Sequence, residues 1–119
     1  MDKPGLSVGK LREAITRATE GGGAWGRNLH PSKSVVLRRG ELTRPLRYAD
    51  QTYPGGVCLS SLTSQPEADI DGLRGMIADG VDPATSVLVW IGGRATPLWK
   101  VTASFLDGSF VLALDACDD

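Results

Sequence analysis

Chemistry-bearing residues are scarce in this sequence. It has one histidine, His30, and two cysteines, Cys58 and Cys117, in 119 residues. A lone histidine cannot supply a zinc site or a nucleophilic triad, and no GxSxG, HExxH or Cys/His cluster with ligand spacing occurs. The two cysteines lie too far apart for a CxxC site and could form at most one bridge; they read as reduced thiols. Aromatic residues make up 6% of the chain. No stretch of about 18 apolar residues is present, which excludes a membrane-spanning helix, and the first thirty residues hold no apolar run like a signal-peptide core. The sequence therefore reads as that of a soluble, cytoplasmic protein. It calls for no metal and no cofactor, and it carries no signature of an enzyme.

What is present is an ordinary globular composition, 41% hydrophobic and 23% charged. A chain of this length buries a little under about 70% of its unfolded surface, enough for a single domain over residues 1–119 without metals or disulfides. Disordered, collagenous and coiled-coil classes are excluded by the same numbers. The net charge of −1 hides an imbalance. Residues 1–47 carry ten basic groups against four acids, a local +6, whereas residues 48–119 carry three against ten, a local −7.

The chain also resembles itself. Laid on residues 83–114 without a gap, residues 31–62 match at Pro31/Pro83, Ser34/Ser86, Val35/Val87, Gly40/Gly92, Pro45/Pro97, Leu46/Leu98, Gly56/Gly108 and Leu62/Leu114, eight of 32 positions. Glycine and proline matter most here, because they fix turns and strand starts. Upstream of each block lies a helix signal. Ser7 can cap a helix with Val8, Leu11, Ile15 and Ala18 on one face, and Asp69 can cap one with Ile70, Leu73, Met76 and Ile77, ended by Gly80. The offsets, 52 for the blocks and 62 for the helices, place an insertion of about ten residues at Glu20–Leu29.

These patterns predict an α+β fold of two tandem α-β-β-β repeats, each an antiparallel meander with one helix packed on a face. Repeat one spans about 7–62 with the loop insertion 20–29, and repeat two about 69–115. The expected strands are 34–39, 45–53 and 57–62 in the first copy and 85–91, 97–106 and 109–115 in the second, with Asp107-Gly108 as a two-residue hairpin signal. Trp99, Val101, Ala103 and Phe105 alternate with Lys100, Thr102 and Ser104, so one face of that strand should be buried. If the copies pack about a pseudo-two-fold axis, the charge split lets a basic unit face an acidic one.

Candidate binding residues come from positions where the copies differ. Arg38, Arg39 and Arg47 stand where Trp90, Ile91 and Trp99 stand in the second copy. With Arg44 they would put four guanidinium groups on one hairpin, suited to carboxylates or to phosphates on a nucleic acid; a solvated hairpin tip and pairing with the acidic half are the structural readings. A sequence pI near 5.8 argues against bulk electrostatic binding to DNA. Trp90 and Trp99 read either as an aromatic hot spot for a partner or a homodimer, or as core packing under the helix. Stacking of Arg38 or Arg47 on one of them is a third reading. The stretch GGGAWG matches G-x-G-x-x-G through Gly21, Gly23 and Gly26, but a helix signal precedes it and His30-Pro31 follows, the wrong setting for a dinucleotide. It reads instead as a loop presenting Trp25 beside Arg27, with Trp25 either plugging the core or touching a partner. His30, before Pro31, reads as the end of that loop.

The stretch Ile70–Ala116, with LRGMIADGVDPATSVLVWIGGRATPLWKV at its heart, resembles small proteins of unknown function encoded by bacteriophages and actinobacteria. Their pattern is a short LRxAL helix, an acidic-proline turn, a Val-rich strand, a glycine turn and a Pro-Val or Pro-Leu strand. Ser7-Val8-Gly9-Lys10-Leu11-Arg12-Glu13-Ala14 looks like the start of the same pattern. The resemblance carries no catalytic residues. It implies a binding protein, such as an inhibitor of a host defence complex in the manner of anti-CRISPR proteins, with a host protein or ribonucleoprotein as partner. The partner-binding candidates are Arg38, Arg39, Arg44, Arg47, Trp25 and Trp99. Nucleic-acid binding through the arginine hairpin and a small-molecule enzyme are the alternatives.

Overall fold

A computed structural model describes residues 5–21, 29–30, 32–61, 64–77, 81–106 and 108–117. The fold is α+β, with two α-helices and a curled mixed sheet of seven strands. Helix α1 spans Val8–Thr16 and runs into a π-helical turn at Arg17–Gly21; helix α2 spans Ile70–Met76. The strands are β1 Val35–Arg39, β2 Leu42–Pro45, β3 Tyr48–Asp50, β4 Val57–Ser60, β5 Val87–Ile91, β6 Arg94–Leu106 and β7 Ser109–Ala116. No described helix is long and apolar enough to cross a membrane.

Both helices begin where their caps say they should. Ser7 Oγ accepts from the Lys10 N–H at 3.3 Å and Asp69 Oδ1 from the Gly72 N–H at 2.7 Å, each satisfying a first-turn donor that the helix leaves unpaired. Helix α2 stops at Met76, and the expected stop, Gly80, lies outside the described residues. Arg12 on α1 reaches the other helix, donating through Nε to the Ile77 carbonyl at 2.7 Å. A cation there complements the negative end of the helix dipole.

The sheet order is β2-β1-β7-β6-β5-β4-β3. Its two end strands, β2 and β3, are consecutive in the chain, so the sheet curls back on itself through Leu46 and Arg47. Leu46 N–H donates to the Val35 carbonyl on one side at 3.0 Å, and Arg47 N–H to the Ser60 carbonyl on the other, also at 3.0 Å. Hairpin pairs β1–β2, β3–β4, β5–β6 and β6–β7 are antiparallel, whereas β1 with β7 and β4 with β5 are parallel. Seven strands rather than six result because the chain around the expected strand 45–53 starts pairing earlier, at Leu42, and breaks at Leu46–Arg47, so that Leu42–Pro45 pairs with β1 and Tyr48–Asp50 with β4. The first half of the chain is therefore not the simple meander expected, and two parallel ladders join it to the second half.

The segments leading into the helices are stitched to distant strands. Leu6 N–H donates to the Leu98 carbonyl at 2.7 Å, and Val8 N–H to the Thr85 carbonyl at 2.8 Å. Ala68 N–H donates to the Leu46 carbonyl at 2.7 Å, and Ile70 N–H to the Lys33 carbonyl at 3.0 Å. Val8, Leu11 and Ile15 from α1 and Ile70, Leu73 and Ile77 from the α2 region meet Leu37, Leu46, Leu59, Val89, Leu98, Leu112 and Leu114 in one buried cluster. That cluster is wholly aliphatic. None of the six described aromatic residues is buried.

Candidate functional site

With the core filled by branched aliphatics, the outer face of the sheet carries what chemistry the chain has. Arg38, on β1, lies opposite Asp115 in the β1–β7 ladder. Its Nε donates to Asp115 Oδ1 at 2.6 Å and its Nη2 to Oδ2 at 3.1 Å; Nη1 reaches Ser104 Oγ at 2.9 Å and Nη2 Thr102 Oγ1 at 3.2 Å. Thr102 Oγ1 also donates to Asp115 Oδ2 at 3.3 Å. The hydrogen bond to Asp115 raises the Arg38 pKa still further, its largest cause, against the lowering by burial. This fork-to-fork pair is a clasp across β1, β7 and β6. It sets a basic group of the first half against an acid of the second, as the longer Arg47–Glu67 pair also does.

The four hairpin arginines do not form one free cluster. Arg47 donates through Nη1 to the Gln65 carbonyl at 2.8 Å and lies 3.9 Å from Glu67. Arg39 packs its guanidinium against Gly92, and Arg44, exposed, lines a small cleft with Ser61, Trp90, Ile91, Gly92 and Gly93. Only Arg44 is left mostly to solvent.

Of the two readings left open for the tryptophans, core packing is the one the structure departs from: Trp90 is half-buried and Trp99 exposed. Trp99 is 43% exposed, with Lys100 Nζ 4.9 Å from its ring centroid, so the cation stacked on it is lysine rather than Arg38 or Arg47. The cause is a bulge between Leu98 and Lys100, which moves the inward face from the even positions Thr96 and Leu98 to the odd positions Val101 and Ala103 and turns Trp99 outward. Phe105, beyond the body of the sheet, is 62% exposed and meets Phe110 edge to face at 5.1 Å. Trp25 lies outside the described residues. His30 closes a turn, its Nδ1 accepting from the Ser32 N–H at 3.1 Å.

Sequence reasoning missed a second outer-face feature. Tyr48, Asp50, Tyr53, Cys58, Ser60 and Trp90 line a cleft of about 230 Å³. Strand register builds it: Tyr48 lies opposite Ser60 and Asp50 opposite Cys58 in the β3–β4 ladder, and Ser60 opposite Trp90 in the β4–β5 ladder. The sequence signal was there, in two tyrosines five residues apart beside a strand, but their meeting with Trp90 needs the parallel ladder. Asp50 Oδ1 accepts from the Thr52 N–H at 2.9 Å and from Thr52 Oγ1 at 2.7 Å, which fixes the carboxylate at the turn.

Burial pushes the Cys58 thiol above its ordinary pKa, and the Asp50 charge adds to this. A thiol held protonated is a poor nucleophile. Alkylation of native protein by iodoacetamide at pH 8 is expected to be slower at Cys58 than in the urea-unfolded chain; equal rates would refute the buried, protonated thiol. The linked stability has a defined sign. It is fully present below the unfolded thiol pKa of about 8.5 and is lost as pH rises through the higher folded value.

No group of His, Cys, Asp and Glu suited to a metal occurs among the described residues. Compared with family models, curated proteins and solved structures, the chain matches none.

Proposed function

We propose that this is a non-catalytic binding protein, an accessory protein of a phage or mobile element that occupies a surface of a host protein or ribonucleoprotein complex such as a defence system. The observation that carries this reading is the placement of the aromatics. Folding uses none of the six described rings as a buried core residue, while Tyr48, Trp99 and Phe105 are 43%, 43% and 62% exposed. Large amphipathic rings are the side chains on which protein interfaces concentrate binding energy. Trp99, with Lys100 stacked on it, is the proposed anchor, Phe105 offers a second exposed ring further along the same strand, and Arg44, exposed and bonded through Nη1 to the Thr43 carbonyl at 2.9 Å, is the most solvent-facing guanidinium of the hairpin. Arg38 serves the fold, and Arg47 is tied to Gln65 and Glu67, which weakens the case for an arginine-rich nucleic-acid hairpin.

The reading includes an internal duplication of about fifty residues. Supporting it, the pairs Val36–Pro45 and Arg39–Leu42 recur as Leu88–Pro97 and Ile91–Arg94, 52 residues on at both partners. Tyr48–Ser60 and Lys100–Asp115 correspond likewise, with three extra residues in the second hairpin. The stitches Leu6–Leu98 and Ala68–Leu46 correspond with the halves exchanged.

A tagged pull-down from host lysate, wild type against Trp99→Ala and Phe105→Ala, tests the function. Loss of about thirtyfold in affinity for one captured complex, with the urea midpoint unchanged, is the expected result for a hot spot worth about 2 kcal/mol. Capture that survives both substitutions would overturn the anchor. Capture that falls steeply with salt and disappears with nuclease would assign the protein to nucleic acid instead.

A further inference from the structure

We infer that the cleft between Tyr48, Tyr53 and Trp90 is a binding site for a methylated ammonium group, the head of a quaternary ammonium compound. This goes beyond the partner surface at Trp99 and does not depend on it.

Three observations converge. The first is the lining. Three of the chain's seven aromatic residues surround one opening of about 230 Å³, together with the Asp50 carboxylate. Aromatic faces carry negative potential and attract cations, most strongly those that shed water easily. A methylated ammonium suits such a lining better than a primary ammonium, because its charge is spread over methyl groups that lose little hydration on leaving water. The second observation is charge. The one charged side chain that lines the cleft is the Asp50 carboxylate, whereas Arg44 lines the neighbouring cleft that shares Trp90, and Arg47 is engaged with Gln65 and Glu67. Asp50 is held in place by Thr52 and supplies the fixed countercharge.

The third observation is the contrast between the two halves of the sheet. In the β1–β7 ladder the outer face carries Arg38 opposite Asp115, a cation of the protein's own seated on a carboxylate. At the corresponding step of the β4–β5 ladder stand Trp90 and Ser60. Trp90 takes the place of the cation and Ser60 that of the acid. The carboxylate reappears two residues along the neighbouring strand, as Asp50 where the other half has Thr102. One half closes its outer face with a built-in guanidinium, and the other leaves an open, aromatic-walled and acid-flanked cleft that a guest cation fits.

Choline and its neutral isostere 3,3-dimethylbutanol, titrated into the ¹⁵N-labelled full chain and followed by NMR, separate the charge from the shape. Choline is expected to shift the amides of Tyr48–Tyr53, Val57–Ser60 and Trp90, and to bind about tenfold more tightly than the isostere, the size expected of a partly desolvated cation–π contact. Trp90→Ala and Tyr48→Ala are each expected to weaken choline about tenfold, and Asp50→Asn several-fold. Tyr48 is exposed, so its substitution leaves the fold intact even where Trp90→Ala does not. Equal binding of choline and the isostere, shifts elsewhere in the chain, absence of saturation, or wild-type affinity in folded Tyr48→Ala would each overturn the site.

Discussion

Gly56→Ala is expected to destabilise the protein by about 3 kcal/mol, the sum of a strained backbone and a collision that cannot relax. Gly56 has φ +150°, and a Cβ there would run into the backbone carbonyl of Ser86. That carbonyl cannot move freely, because it accepts from the Val57 N–H at 2.9 Å and opens the parallel ladder between β4 and β5. Its sequence partner, Gly108, has φ +80° in the last hairpin, with nothing within 4 Å of where a Cβ would stand. Gly108→Ala meets only the left-handed backbone penalty, about 1 kcal/mol. Urea unfolding checks both. With a slope of about 2 kcal/mol/M, the midpoint should fall by about 1.5 M for Gly56→Ala and by about 0.5 M for Gly108→Ala. Equal shifts would show that the approach of Gly56 to Ser86 is not what constrains it.

The second large effect belongs to the clasp. Asp115 has only 9% of its side chain exposed and Arg38 29%, so removing either partner leaves a charged group half out of water and unpaired. Arg38→Ala and Asp115→Ala are each expected to cost about 2–3 kcal/mol, and the double variant clearly less than their sum. Arg38→Lys should recover little, since a single ammonium cannot span Asp115, Ser104 and Thr102 together. Strictly additive losses in the double-mutant cycle would reduce the pair to two unrelated surface groups.

Local chemistry was the legible part of the fold. Ser7 and Asp69 announced their helices because a capping oxygen followed by a 3.6-residue apolar period is a short-range signal. β5, β6 and β7 were readable for the same reason, from β-branched runs punctuated by glycine. Partner choice was not. Nothing in Val35–Arg39 says that it lies parallel to a strand starting 74 residues later, and the break between Leu42–Pro45 and Tyr48–Asp50 follows from Leu46 and Arg47 bonding to strands on opposite sides. The site suffered from the same limit. Arg38 looked like a binding residue because its acceptor, Asp115, is remote in sequence, and Trp99 looked half buried because one bulged residue reverses the face of a strand. The cleft at Tyr48, Tyr53 and Trp90 was invisible until β4 met β5.

The stitching of each helix lead-in into the far half bears on how the chain reaches this state. Leu6 is joined to Leu98, and Val35 is paired with Leu112, so neither end of the molecule can complete its ladders before nearly the whole chain has been gathered. Loops that long must be closed before their contacts repay the lost entropy, which puts folding in the milliseconds-to-seconds regime of high contact order rather than the microseconds of a helical bundle of similar size. During that interval β1, β4, β5 and β7 have their hairpin partners but lack their parallel neighbours. The six described aromatic residues lie outside the buried cluster, so the centre that these ladders close around is aliphatic.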